Sequence, residues 1–322
     1  MVVWGDFVLD EYWRCLSRRV SREAPVLILE HQGRTSQGGG AANAALNLAA
    51  LGAAVRAVGF VGRDPEGREL RRLLKDAGID VRGLVEHATA GTVVKTRIVA
   101  GSVHTALQQV VRVDRGARFS LGAVERRRLH HALEQADVGA RAVLISDYGY
   151  DSVTPALAAT RARRWRARRT VVGLDARYRI AEYRGVTLAT PNESEAGAAV
   201  GIDVRGDTDL IQVAERLRRR LRLSHLVITR GRDGLTLWDE QGGRNLEAWG
   251  GHEAVDVTGA GDAVVATATL ALAAGAGALD AAALANVAGA VAVSRRGAVA
   301  VTAAELQETL RSGASVISKD AK

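Results

Sequence analysis

Short apolar runs of β type alternate with helical patterns along most of this chain, and that alternation limits the fold more than any other feature. The strand runs cover residues 2–4, 55–58, 142–145, 170–174, 187–189, 226–229 and 235–238. Helical patterns lie between them over residues 40–51, 65–77, 122–135, 155–168 and 208–221. A strand followed by a helix returns in parallel to its neighbour, with helices covering both faces of the sheet. Pro65 and Pro155 stand at first helical turns, where the missing amide hydrogen costs nothing. The 322 residues suffice for one large α/β domain.

Residues 14–35 and 92–114 break the rhythm. The strings TVVKTRIV and QQVVRVD in the second alternate β-type with polar residues, as strands with one wet face do. A small sheet beside a large parallel one reads as a lid over a cleft. The expected organisation is a single domain over residues 1–311. Lid segments fall at about 11–36 and 91–115, and the polar, charged end at 312–322 reads as a flexible tail.

Composition excludes several function classes. The single cysteine, Cys15, cannot build a disulfide framework or a thiolate metal site, and it fits a reducing, cytoplasmic setting. Acidic residues Asp6, Asp10 and Glu11 interrupt the N-terminus, which therefore reads as no targeting segment. The uncharged stretch 263–279 is too short and too rich in small residues for a membrane span, and reads as a buried helix. A net charge of +8 raises the question of nucleic acid. The arginines cluster in RARRWRARR (161–169) and ERLRRRLR (215–222), late in helical patterns. They read as solvated faces near helix C-termini, so no nucleic-acid partner is expected. No HExxH, Walker A or strand-linked GxGxxG pattern occurs.

Five motifs carry chemistry. In DVTGAGDA (256–263), glycines let the backbone approach a ligand, and the N–H groups of Gly259, Ala260 and Gly261 can face an anion at a helix start. Asp262 in that place suits a base that deprotonates a hydroxyl attacking a phosphate. The competing reading is an N-capping aspartate after a glycine turn. In QGGGAANAALNLAALG (37–52), glycines can admit a sugar ring and Asn43 can bond its hydroxyls, or the Asn is simply core-facing. In TPNESEA (190–196), Asn192 and Glu195 suit Mg²⁺ held through water, or else a capping box. Asp6 and Asp10 in GDFVLDEYW, and Asp147 in ISDYG, end strands where open α/β sheets place ligands. VITRGRDG (227–234) could line a nucleotide pocket.

The order of these motifs resembles the ribokinase and phosphofructokinase-B family of carbohydrate kinases, over residues 2–310. GDFVLDEYW, SREAPV (21–26), VKTRIV (94–99), QQVVRVD (108–114), SDYG (146–149) and EYRGVTLATPNESE (182–195) are similar to strings of heptose 7-phosphate kinases within it. The resemblance implies a ribokinase-like doubly wound, mostly parallel sheet with a small β-sheet lid. It implies ATP, Mg²⁺ and a monovalent cation such as K⁺ as cofactors, and phosphoryl transfer to the anomeric hydroxyl of a heptose 7-phosphate. Asp262 is then the base, and Gly259, Ala260 and Gly261 the anion hole. Asn192 and Glu195 position Mg²⁺ and phosphate, with Thr229, Gly231, Asp256, Thr258 and Asn286 on the nucleotide side. Asp10, Gly39, Gly40, Asn43 and Asp147 contact the sugar, and Lys95, Arg97 and Arg177 offer cations to its phosphate. A homodimer through the lid is expected, as is a separate nucleotidylyltransferase acting downstream. Two positions depart from the heptose pattern: Tyr150 stands for a usual Lys, and Asp175-Ala176-Arg177 for DPK. Other readings are a kinase for another sugar, sugar phosphate or nucleoside, and a catalytically silent ligand sensor on the same fold.

Overall fold

A computed structural model of the chain describes residues 1–101, 107–116, 118–119, 121–250 and 255–320, with side chains through Gly313. The first half contains β1 (Val2–Gly5), β2 (Phe7–Val20), β3 (Leu27–Gly40), α1 (Ala41–Ala50), β4 (Arg56–Gly62), α2 (Pro65–Asp76), β5 (Asp80–His87), β6 (Val93–Gly101), β7 (Gln108–Arg115), α3 (Ala123–Ala136) and β8 (Ala142–Asp147). It continues through α4 (Pro155–Ala167), β9 (Val171–Ala176), β10 (Leu188–Ala189), α5 (Glu193–Val200), α6 (Asp207–Leu221), β11 (His225–Thr229), β12 (Leu235–Asp239) and β13 (Gly242–Leu246). Three helices close it, α7 (Ala260–Ala273), α8 (Ala278–Val293) and α9 (Ala303–Asp320).

The large sheet has the order β13-β12-β11-β10-β9-β8-β1-β4-β5. It is parallel from β11 to β5, and β12 and β13 add an antiparallel edge. Alternate residues of the central strand serve opposite faces. Val2 and Trp4 join a core with α3, α4 and α6, while Val3 joins one with α1, α2 and α7. Both layers are fully buried, as a sheet covered on two sides requires. The fold is ribokinase-like, with a separate small sheet of order β3-β2-β6-β7.

The first passage between the two sheets takes a single residue. Asp6 separates β1 from β2, and its carbonyl accepts from Ala41 N at the start of α1 (3.1 Å). Its buried carboxylate accepts from the backbone N–H groups of Tyr148 (2.9 Å), Tyr150 (3.0 Å) and Ser152 (3.0 Å). Asp6, which the sequence places where a ligand could bind, is thus occupied by the chain itself.

Other expectations are revised. The uncharged stretch 263–279 is not one helix: α7 ends at Ala273, and Gly275, at φ +98°, turns the chain into α8. The RARRWRARR face is partly interior. Trp165 is buried and donates to Asp137 (2.9 Å), and buried Arg161 pairs with Glu134 (3.1 Å). Strands β5 and β13 were not anticipated, because polar residues and glycines dilute their apolar pattern. Helix α9 continues to Asp320, over most of the segment read as a tail. Among the described residues no helix is long and apolar enough to cross a membrane.

Helix α7 packs closely against β9. At Gly173 of β9 an added Cβ would collide with the fully buried side chain of Thr269 on α7. Gly173→Ala should therefore destabilise the fold by about 1–3 kcal/mol, read as a lower urea midpoint with unchanged slope.

Candidate active site

The loop before α7 is held from both sides. Val255 N and Asp256 N both donate to Val293 O (2.8 and 3.1 Å). The Asp256 carboxylate accepts from Thr258 N and Gly297 N (each 2.9 Å). Burial works against its charge, but these bonds prevail and hold its carboxyl below the ordinary value. The turn then passes through Gly259 at φ +81°, where a Cβ would press on the Asn43 amide. Helix α7 starts at Ala260, so the amides of its first turn lack intrahelical acceptors and carry the positive end of the dipole. Gly261 is exposed and has open space beside it. An anion can approach these groups.

Asp262 lies in that first turn and is 5% exposed. Its Oδ2 accepts from Asn43 Nδ2 (2.8 Å) and its Oδ1 from the Tyr148 hydroxyl (3.0 Å). Burial pushes its carboxyl up to about 7, against the bonds from Asn43 and Tyr148 and the charge of Lys95, with Asp10 adding to the rise. The carboxyl is therefore balanced between its two forms near neutral pH. Asn43 also donates to Gly259 O (3.3 Å), tying Asp262 and the turn together. Asn47 steadies Asn43 by donating to its carbonyl (3.0 Å), and accepts from Val301 N (3.0 Å).

The lid brings further groups over this point. Asp10 on β2 is buried and pairs with Arg97 on β6 (2.9 Å), whose guanidinium lies over the Tyr12 ring (5.3 Å). Lys95 lies 5.2 Å from the centre of the Tyr148 ring. Burial lowers its pKa, and the Arg177 charge acts in the same direction while Asp10 opposes it. Gly39 faces the Asp10 carboxylate, with no room for a side chain. Gly40, at φ +55°, is packed between Asp6 O and the Tyr148 ring.

Two strand-end carboxylates expected at a ligand are engaged by the chain itself. Asp6 is described above. Asp147 accepts from Arg179 (2.9 and 3.1 Å), the Tyr183 hydroxyl (2.6 Å) and Gly149 N (2.9 Å), a full set of partners for a buried carboxylate. Asn192 and Glu195 form a reciprocal capping box on α5 (2.8 and 3.1 Å), which is the structural reading of that motif. Burial raises the Glu195 pKa all the same. Thr229 bridges to Asn192 across the strand ends, and Gly231 follows at φ +56°. Asn286, on α8, donates to Glu247 O (2.6 Å).

Sequence reasoning assigned no role to Tyr148 or Asp175. Asp175 ends β9, where burial and the carboxylates of Asp262 and Glu195 push its pKa well up, while Arg177 opposes them. Its place at a strand's carboxyl end was the available signal. Tyr148 lay in plain view inside SDYG, but nothing local shows that it reaches Asp262.

The chain matches the model for the pfkB family of carbohydrate kinases over residues 2–304. It is 40% identical over 306 residues to the bifunctional protein HldE of Geobacter metallireducens, covering 95% of this chain and 61% of that protein. HldE of Geobacter sulfurreducens is 39% identical over 310 residues, with 96% and 62% covered. The chain thus spans less than two thirds of the length of these relatives. The fold is similar to that of Escherichia coli phosphofructokinase-2 in complex with potassium (TM-score 0.77, 18% identity, 97% and 98% covered). It is also similar to Arabidopsis thaliana ribokinase complexed with ribose and ATP (TM-score 0.73, 17% identity, 96% and 98% covered).

Removing one member of a buried ion pair strands the other. Asp147→Ala should lower unfolding stability by about 2–4 kcal/mol, at the low side for such pairs because Arg179 is partly exposed. Chemical denaturation checks this, and an unchanged midpoint would refute a structural role for Asp147.

Proposed function

We propose that this chain, which belongs to the pfkB family of carbohydrate kinases, transfers the γ-phosphoryl group of ATP to the anomeric hydroxyl of a heptose 7-phosphate. Family membership makes it a phosphotransferase with an alcohol group as acceptor. The observation that carries the mechanism is Asp262, a buried carboxylate poised near pH 7 at the positive end of α7. The acceptor O–H gives its proton to Asp262 as its oxygen attacks the γ-phosphorus. The bond from that phosphorus to the bridging oxygen breaks, releasing ADP. The amides of Gly259, Ala260 and Gly261 meet the charge on the phosphoryl oxygens.

Heptose phosphate as acceptor rests on the motifs shared with heptose 7-phosphate kinases and on the HldE relatives. Lys95 and Arg177, close enough to influence each other electrostatically, supply cations for its phosphate. Asp10 beside Gly39 and Gly40 faces the sugar. Thr229, Gly231, Thr258 and Asn286 form the nucleotide side. Tyr150, where those kinases carry Lys, favours a second reading, in which the acceptor is a different sugar or sugar phosphate.

The donor set fits Mg²⁺ only through water. Asn192 and Glu195 already cap α5, and among the described residues no group of three or more His, Cys, Asp or Glu is placed to hold a metal. Nucleotide phosphates would carry the ion and Glu195 would reach it through water; it would supply positive charge to the transferring group. A K⁺ requirement is part of the same proposal, tested by exchanging K⁺ for a bulky organic cation.

The lid supports a homodimer. Its edge strands β3 and β7 have unpaired backbone, and Leu27, Ile28, Val110, Val111 and Val113 are exposed there. Sedimentation of the full chain tests this, with a monomer at all concentrations as the refuting result. A reducing cytoplasmic setting with a supply of ATP completes the proposal.

Asp262→Asn should lower kcat by about 10² or more while leaving ATP binding intact. The wild-type kcat should fall as pH drops below about 7, because the base must be ionised to accept a proton. ATP consumption with D-glycero-β-D-manno-heptose 7-phosphate, fructose phosphates, ribose and adenosine decides the acceptor. Turnover with another member alone would move the substrate and keep the chemistry.

A further inference from the structure

The carboxylate of Asp262 has two oxygens and a different neutral donor on each. Asn43 comes from the glycine-rich turn that the sequence marks. Tyr148 comes from the loop after β8, 114 positions in sequence from Asp262. Its backbone N–H donates to Asp6 Oδ2 (2.9 Å), so the loop is fixed at the corner between the two sheets. Its ring packs against Gly40, and Lys95 Nζ lies 5.2 Å from the ring centre. Burial and the Asp262 charge push its phenol well above the ordinary value, so the hydroxyl stays a donor across the working pH range.

We infer that Tyr148 is a positioning residue for phosphoryl transfer, whose hydroxyl fixes the plane of the Asp262 carboxylate so that its remaining acceptor capacity faces the attacking hydroxyl. A carboxylate held by a single donor swings about its Cβ–Cγ bond. With Asn43 on Oδ2 and Tyr148 on Oδ1, any swing breaks a charge-assisted bond. Each oxygen has room for a second hydrogen bond, so the acceptor hydroxyl can join without displacing either donor. Tyr148 itself transfers no proton.

The same bond favours the ionised base. The other charged groups acting on Asp262 are Asp10 and Lys95 from the lid and Asp175 from the end of β9, with Arg177 acting on Tyr148 and Asp175. Tyr148→Phe leaves all of these in place and removes only the donor. It therefore isolates the hydroxyl.

This inference rests on Asp262 being the base, and the test separates the two. The carboxyl of Asp262 is titrated by ¹³C NMR in the full chain with labelled aspartate, its resonance assigned by Asp262→Asn. In Tyr148→Phe the midpoint should rise by about one unit. Turnover of D-glycero-β-D-manno-heptose 7-phosphate should show kcat about tenfold lower, with its acidic limb moved to higher pH and the KM for ATP within about twofold. In the Asp262→Asn background, Tyr148→Phe should cost nothing further, because Tyr148 acts through that carboxylate. An unchanged midpoint in Tyr148→Phe, with ATP binding and thermal midpoint confirming the fold, overturns the inference even if Asp262→Asn is inactive. A near-normal rate in Asp262→Asn removes the base itself. A midpoint that moves while that variant stays active leaves the hydrogen bond but no catalytic use for it, and that too overturns the inference.

Discussion

The buried carboxylate of Asp6, gripped by three backbone amides, is the constraint from which the site's geometry follows. Asp6 is the single residue between the central strand β1 and the first lid strand β2. Burial pushes its pKa up to about 6, while the amides of Tyr150 and Ser152 favour its charge. Leaving such a group without partners would cost several kcal/mol, so the 148–152 loop is bound to close over it. That closure places Tyr148 beside α7. On its other side the Asp6 carbonyl caps the start of α1, and two residues on, Asn43 reaches Asp262. The small sheet, Asp262 and the glycine-rich turn are thus set from one corner.

Carboxylates gather at the strand ends, and their partners sort them by role. Asp147 has a guanidinium, a phenol and an amide, and holds the loop structure. Asp256 has two amides and shapes the turn before α7. Asp10 is matched by Arg97. Among the described residues Asp262 has two neutral donors, Asn43 and Tyr148, and its burial raises its proton affinity toward neutral pH. Asp175 at the end of β9 is also left short of compensation, but Asp262 is the one that stands in the first turn of α7.

A second buried acid joins the lid to the body. Glu11 is 1% exposed and accepts from Thr96 (2.9 Å), with Arg34 and Arg115 at 3.3 and 3.4 Å. These arginines also pair with Glu69 and Glu66 on α2. Residues from all four lid strands meet there, so the lid is braced at its base while β7 remains exposed along its length.

The alternation of strands and helices, the glycine turn before α7 and the cap on α5 were legible in the chain, because each depends on residues within a turn or two of one another. Strand-end positions made several aspartates candidates. Their roles were not legible, because burial and hydrogen-bond partners decide them. Asn43 lies 219 positions from Asp262 and Tyr148 lies 114 away. Asp147 looked like a ligand until Arg179 and Tyr183 were seen to enclose it. Local pattern determined where the backbone would present acids; only the tertiary structure decided which of them keeps an uncompensated charge, since that depends on contacts no sequence spacing encodes.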